Sequence, residues 1–171
     1  RYSFNYEISP RYRVNDKLSF VYSFSKGYQH DNIGFARNLI DEVDPRTGEP
    51  IEENYVIFGL RDVNDITNAL ETTYTFNNRM SLTLWARHYW SDAVYKKYTR
   101  LNSEDGKLYA DAYDPADYDH QNDINYNRLN LDMAYSWWFA PGSEVSVVWK
   151  DIFYDESNRI VPAYFDNVRH M

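Results

Sequence analysis

Residues 66–86 read ITNALETTYTFNNRMSLTLWA, and most of the residues with apolar side chains fall on one parity: Ile66, Leu70, Tyr74 and Phe76, then Met80, Leu82, Leu84 and Ala86. A period of two is that of a β-strand with one apolar face. Asn77-Asn78-Arg79 separates the two runs with turn-forming residues, so the stretch reads as a β-hairpin. The same grammar appears upstream, where Tyr2, Phe4, Tyr6, Ile8, Tyr12 and Val14 precede Asn15-Asp16-Lys17, and Leu18, Phe20, Tyr22 and Phe24 follow. It appears again downstream, where Leu129, Leu131, Met133, Tyr135, Trp137 and Phe139 precede Pro141-Gly142-Ser143, and Val145, Val147 and Trp149 follow.

Residues facing each other across a hairpin must point to the same side of the sheet. Shared parity in the three hairpins therefore predicts Val14 opposite Leu18, Phe76 opposite Met80, and Ala140 opposite Glu144. Each pairing leaves a three-residue loop in which Asn or Gly takes the left-handed conformation. These registers also put Glu71 diagonal to Arg87 and Asp132 diagonal to Lys150 on the polar face.

Composition narrows what such hairpins build. The chain has 171 residues with 17 Tyr, 9 Phe and 5 Trp, yet its mean hydropathy is −0.72. So many aromatics in so polar a chain must be patterned in order to be sequestered. The longest apolar runs are four residues, Tyr55 to Phe58 and Trp137 to Ala140, far short of the roughly 20 of a membrane-spanning helix. A membrane β-strand needs only about 9–11 residues with alternate ones apolar. The net charge of −8 leaves no basic face to displace the counterions of nucleic acid. Without cysteine there is neither a disulfide nor a thiolate metal site.

Between the hairpins the connections are long, about 40 residues from Phe24 to Ile66 and over 30 from Ala86 to Leu129. They are acidic and tyrosine-rich. Tight turns at one end of the strands and long loops at the other are the asymmetry of outer-membrane barrels. The expected fold is all-β, an antiparallel up-and-down meander of hairpins forming part of a transmembrane outer-membrane β-barrel. Its apolar set would face lipid, while Glu7, Arg11, Arg13, Glu71, Arg87, Asn130, Asp132 and Lys150 would face a hydrated lumen. The alternative is a soluble antiparallel β-sandwich whose apolar face is internal. The barrel requires Phe4, Tyr22, Leu70, Leu82, Leu131 and Val147 to be exposed, and the sandwich requires them buried. Residues 1–171 read as a single barrel segment of about six strands. The smallest single-chain barrels use eight, so an incomplete barrel is expected, with Asn158 to Phe165 as a further strand or a loop.

Three pieces carry a family resemblance: Arg87-His88-Tyr89-Trp90-Ser91, the Asn125-x-Asn127 pair, and the block FAPGSEVSVVWK from Phe139 to Lys150. With their surroundings, Ile66–Leu108 and Ile124–Lys150, they cover about half of the chain. The chain resembles the C-terminal barrel region of a Bacteroidota outer-membrane family of unknown function, whose members usually carry an N-terminal carbohydrate-binding-like domain. The resemblance implies location and architecture, and supplies no catalytic residues.

For chemistry, the densest polar cluster is Asp111, Asp114, Asp117, Asp119 and Asp123. Five carboxylates are a calcium candidate, although their spacing is not that of an EF-hand and a solvated acidic loop explains them as well. Tyr109, Tyr113 and Tyr118, interleaved with these acids, are a carbohydrate candidate. His88 sits at the apolar parity and reads as interfacial; Ser91 falls on the opposite face, which argues against a lipid-facing hydrolase pair. His30, His120 and His170 fall in expected loops without zinc spacing. Glu7 and Glu71 belong to different hairpins, so a glycosidase pair is not indicated. No nucleophile elbow, phosphate loop or dinucleotide motif is present. The expected role is non-enzymatic: an anchor or passage in the bacterial outer membrane for a larger surface or periplasmic protein. Its partners would be lipid and further barrel strands or subunits, with carbohydrate as the ligand of the alternative sandwich.

Overall fold

The computed structural model describes residues 1–39, 55–101, 106–109 and 122–169. They form one antiparallel sheet of eight strands: β1 (Tyr2–Ile8), β2 (Arg11–Arg13), β3 (Leu18–Leu39), β4 (Tyr55–Asn77), β5 (Met80–Leu101), β6 (Leu108–Tyr109), β7 (Ile124–Ala140) and β8 (Ser143–Ser157). A short helix, α1 (Tyr164–Arg169), follows where a further strand or a loop was expected. The sheet order is β1-β3-β4-β5-β7-β8, with β2 also on β3 and β6 on β5, an up-and-down meander. β1 and β2 are one strand interrupted at Ser9-Pro10, because proline has no N–H for the ladder. Among the described residues the two edges do not pair, so the sheet is open.

The first hairpin keeps the expected register: the Val14 N–H donates to the Leu18 carbonyl at 2.9 Å, and Asn15 Oδ1 accepts from the Lys17 and Leu18 N–H groups at 2.8 and 2.9 Å. The other two correct it while preserving parity. In the second, Asn77 pairs with Met80 after a bulge at Phe76, leaving the two-residue turn Asn78-Arg79. In the third, Trp138 faces Glu144 and Ala140 faces Ser143, leaving Pro141-Gly142. Gly142, at φ 74°, is the only residue of these loops in the left-handed region. A bulge adds one residue to one strand, so a two-residue turn plus a bulge restores the parity that a three-residue loop would have provided. Asp132 consequently stands directly opposite Lys150 and pairs with it at 4.0 Å, whereas Glu71 and Arg87 keep their diagonal without an ion pair.

The larger correction concerns length. β3, β4 and β5 run 22, 23 and 22 residues, so much of the expected long loops is strand. At about 3.3 Å per residue these strands extend over 70 Å. Cross-strand rings stack along β1 to β3: Phe4 on Tyr28 at 5.7 Å and Tyr12 on Phe20 at 5.3 Å, pairs that contribute roughly 0.2–1 kcal/mol each. Of the six diagnostic side chains, Phe4 (49%), Tyr22 (40%), Leu70 (39%) and Val147 (54%) are exposed, Leu82 and Leu131 are half-buried, and none is buried.

Candidate functional site

Pairing registers sort the side chains into two faces and two ends. Near the turns, one face carries Leu18, Phe20, Tyr22, Phe24, Leu70, Tyr74, Leu82, Leu84, Leu129, Leu131, Met133 and Trp149 in adjacent rows. Asp151, on edge strand β8, is the one charged side chain of this belt among the described residues. The reverse face carries Ser19, Ser23, Glu71, Thr73, Arg87, Asn130, Asp132 and Lys150. Beyond the row Phe24–Asn68–His88–Leu129, the belt face turns polar with Lys26, Asn64, Asp92, Asn125 and Asn127. Two built polar clusters occupy this far end.

The first sits where bulges in β3 and β5 flank the same point of β4. Asp31, at φ 54°, lies at the shift between Gln29 and Asn32, and Lys96 lies at the shift between Leu60 and Arg61. The Lys96 ammonium reaches Asp62 Oδ1 at 2.7 Å and Asp31 Oδ1 at 3.2 Å. The Tyr28 hydroxyl donates to Asp62 Oδ2 at 3.0 Å, the Asp31 N–H donates to Asp62 Oδ1 at 3.1 Å, and His30 Nδ1 lies 3.1 Å from Asp62 Oδ1. His30 is thus a strand residue opposite Tyr2, where a loop was expected. The His30, Asp31 and Asp62 ligand atoms lie within 4.8 Å of one another, a spacing that suits a cation. Lys96 already supplies that positive charge, so the cluster is a clamp across three strands.

Partial burial would raise the Asp62 carboxyl, but the Lys96 ammonium, the Asp31 N–H and the Tyr28 hydroxyl outweigh it and hold the group at about 2. A depressed carboxylate stabilises the fold above its ordinary value of 3.8, and that contribution is lost as pH falls from there through about 2. Carbon-detected NMR titration of Asp62 should give a midpoint near 2; a midpoint near 4 would remove the clamp from this account.

Behind the clamp, Tyr95 accepts a hydrogen bond from Arg61 at 2.8 Å, donates to the Phe35 carbonyl at 2.6 Å, and stacks on Tyr98 with centroids 5.7 Å apart. Its ring lies over Gly59, where a Cβ would collide with it.

The second cluster lies under α1. The Tyr164 hydroxyl accepts from Asn68 Nδ2 at 2.8 Å and lies 2.7 Å from His88 Nδ1. Asn167, 2% exposed, accepts from Asn125 at 2.8 Å and Asn127 at 3.1 Å and donates to the Val161 carbonyl. Trp90, 4% exposed, donates to Asn125 Oδ1 at 2.7 Å. His88, expected at an interface, is instead buried against Tyr164, because the segment after β8 folds back over the polar part of the belt face.

Of the calcium candidates, Asp111, Asp114, Asp117 and Asp119 lie outside the described residues, as do Tyr113, Tyr118, His120 and His170. Asp123 is described, and its Oδ1 accepts from the Tyr95 N–H at 2.8 Å. Tyr109 belongs to β6, opposite Arg100. His88 and Ser91 fall on opposite faces. Glu7 and Glu71 lie on strands separated by β3 and four register steps apart, about 16 Å by strand spacing and beyond the roughly 5–9.5 Å of a glycosidase pair.

A family model described as Domain of unknown function (DUF5916) matches residues 1–171. No curated protein and no solved structure matches the chain.

Proposed function

We propose, from the premise that this chain belongs to the DUF5916 family throughout residues 1–171, that it is part of a bacterial outer-membrane β-barrel. In this role it anchors, or gives passage through the membrane to, a larger surface or periplasmic protein. The observation that carries the reading is the apolar belt, bare on one face of a single-layered sheet. Contiguous apolar surface of that extent is costly in water and favourable against lipid.

Dimensions support the same reading. From Phe76 to Asn68 the belt is nine residues deep, about 23 Å at roughly 2.5 Å of rise per tilted residue, which matches the ~25 Å lipid-facing band of such barrels. The polar length of β3–β5 beyond it then projects past the bilayer with the clamp and the α1 cluster. No helix among the described residues is long and apolar enough to cross a membrane, which leaves a crossing by strands open. The reverse face sets charges of both signs, Glu71, Arg87, Asp132 and Lys150, among Trp85, Val148 and Ile152, and further strands would close it around a hydrated lumen. The Bacteroidota origin suggested by the Phe139–Lys150 block belongs to this proposal too.

Purified without detergent the chain should aggregate, and in detergent it should run with a heat-dependent shift on a denaturing gel. A monodisperse, detergent-free monomer would overturn the barrel in favour of a sandwich whose belt is internal.

A further inference from the structure

On the face opposite the belt, Arg87, Tyr89, Tyr126, Arg128 and Asn130 line an open pocket of about 280 Å³. Register brings them together from two strands: Arg87 faces Asn130, Tyr89 faces Arg128, and Ser91 faces Tyr126. The two arginines are therefore diagonal neighbours. Like charges on such positions repel, and a sheet normally separates them or neutralises them.

Here the carboxylates of the same face stand off: Glu71 is diagonal to Arg87 and Glu156 to Arg128, yet among the described residues no carboxylate lies within 4.0 Å of either guanidinium. Asp132, near the pocket, is taken by Lys150 at 4.0 Å. Arg128 is oriented by its own strand, its Nε donating to Asn130 Oδ1 at 2.9 Å. The Tyr89 and Tyr126 rings lie beside the pair and against each other, with centroids 6.2 Å apart and planes inclined at 57°.

Guanidinium forks match the planar oxygens of carboxylate and phosphate groups bidentately, and tyrosine rings offer apolar faces with a hydroxyl at the edge. We propose that this pocket binds an organic oxyanion, a carboxylate- or phosphate-bearing solute whose body is the size of one sugar ring, held between the two arginines and the two tyrosines. The anion removes the Arg87–Arg128 repulsion, and the tyrosine rings contact the body. The inference stands on the polar face alone, whether that face lines a lumen or meets open solvent.

The test uses the full chain in a neutral detergent, with ligand binding followed by the arginine Nε–H resonances and tyrosine fluorescence. Glucuronate and glucose 6-phosphate are the carboxylate and phosphate probes, glucose the neutral one, and inorganic phosphate the bare oxyanion. Both sugar anions should bind saturably and more tightly than glucose or inorganic phosphate. Arg87→Gln and Arg128→Gln should each weaken them about tenfold, the effect of losing one charge-assisted fork on an exposed face. Arg87→Lys should retain part of the affinity, since it keeps the charge and loses the fork. Glucose binding as tightly as glucuronate would overturn the proposal, as would unchanged affinity in the double glutamine variant with the β-sheet circular dichroism intact. Inorganic phosphate binding as tightly as glucose 6-phosphate would overturn the role given to the rings. Detergent-free solubility with binding retained would sink the barrel alone, so the two readings fail separately.

Discussion

Replacing Leu84 by arginine is expected to destabilise the protein in a phospholipid bilayer by about 2–4 kcal/mol, while Thr83→Arg, one residue away, should cost less than about 1 kcal/mol. Leu84 stands between Thr72 and Met133, in the middle row of the nine-residue belt. If the belt meets lipid, that row lies near the bilayer midplane, where an arginine loses its hydration and cannot snorkel cheaply. Thr83 points to the reverse face, among Thr73 and Ala134, where a hydrated surface receives the new charge. Urea unfolding in vesicles, read by tryptophan fluorescence, measures both. Equal effects at the two positions would mean that the belt does not face lipid. The comparison controls for strand propensity, because arginine enters neighbouring positions of one strand.

The sequence shows the half of each strand that lies in the belt and hides the rest, and the reason is environmental. Leu18 to Phe24, Ile66 to Phe76 and Met80 to Ala86 have one apolar and one polar face, so the period of two is written in residue type. Past Asn68 and His88 both faces mix polar with apolar residues, and the buried apolar side chains Ile57, Trp90, Ala93, Tyr95 and Tyr98 stand among buried polar ones. There Asn64 bonds Asp92 at 2.9 Å, and Asp62 is held by Lys96 and Tyr28. Strands stabilised through such side-chain pairs leave no alternation to read. The bulges at Asp31 and Lys96 break what periodicity is left, because each shifts the parity of everything beyond it.

The clamp illustrates why its members escaped a reading by spacing. His30 and Asp31 are adjacent, but Asp62 and Lys96 enter from strands 31 and 65 residues further along, and only the strand register brings them together. The Asn125-x-Asn127 pair was visible as a motif. Its partner, Asn167, carries no signal in the sequence, since a six-residue helix after a strand has too few turns to show a 3.6 period. Turn lengths failed for a narrower reason: parity constrains only whether the number of intervening positions, bulge included, is odd, and both a three-residue loop and a two-residue turn with a bulge satisfy it.

That short helix gives the second large effect. α1 has six residues, too few to persist by its own backbone bonding, so its position rests on Tyr164 and Asn167. Asn167→Leu is close to isosteric, yet it leaves the Asn125 and Asn127 amides and the Val161 carbonyl without their partner. Each buried orphan costs about 1–3 kcal/mol, so two of them are enough to shift the segment towards its released form about a hundredfold. The sheet below need not unfold, because lifting the segment lets water solvate all three groups. Amide exchange over residues 161–169 should therefore accelerate by about two orders of magnitude while that of β3 to β5 stays at the parent rate. Trp90, 4% exposed under the helix, should become open to acrylamide quenching at the same time. Phe165→Ala serves as the control: that ring is 75% exposed and its loss should leave exchange within about twofold, as surface truncations do. Exchange in Asn167→Leu indistinguishable from the parent would mean that the segment is held by something other than its polar contacts with Asn125 and Asn127. Acceleration spread evenly through β3 to β5 would instead make α1 part of the sheet's own cooperative unit.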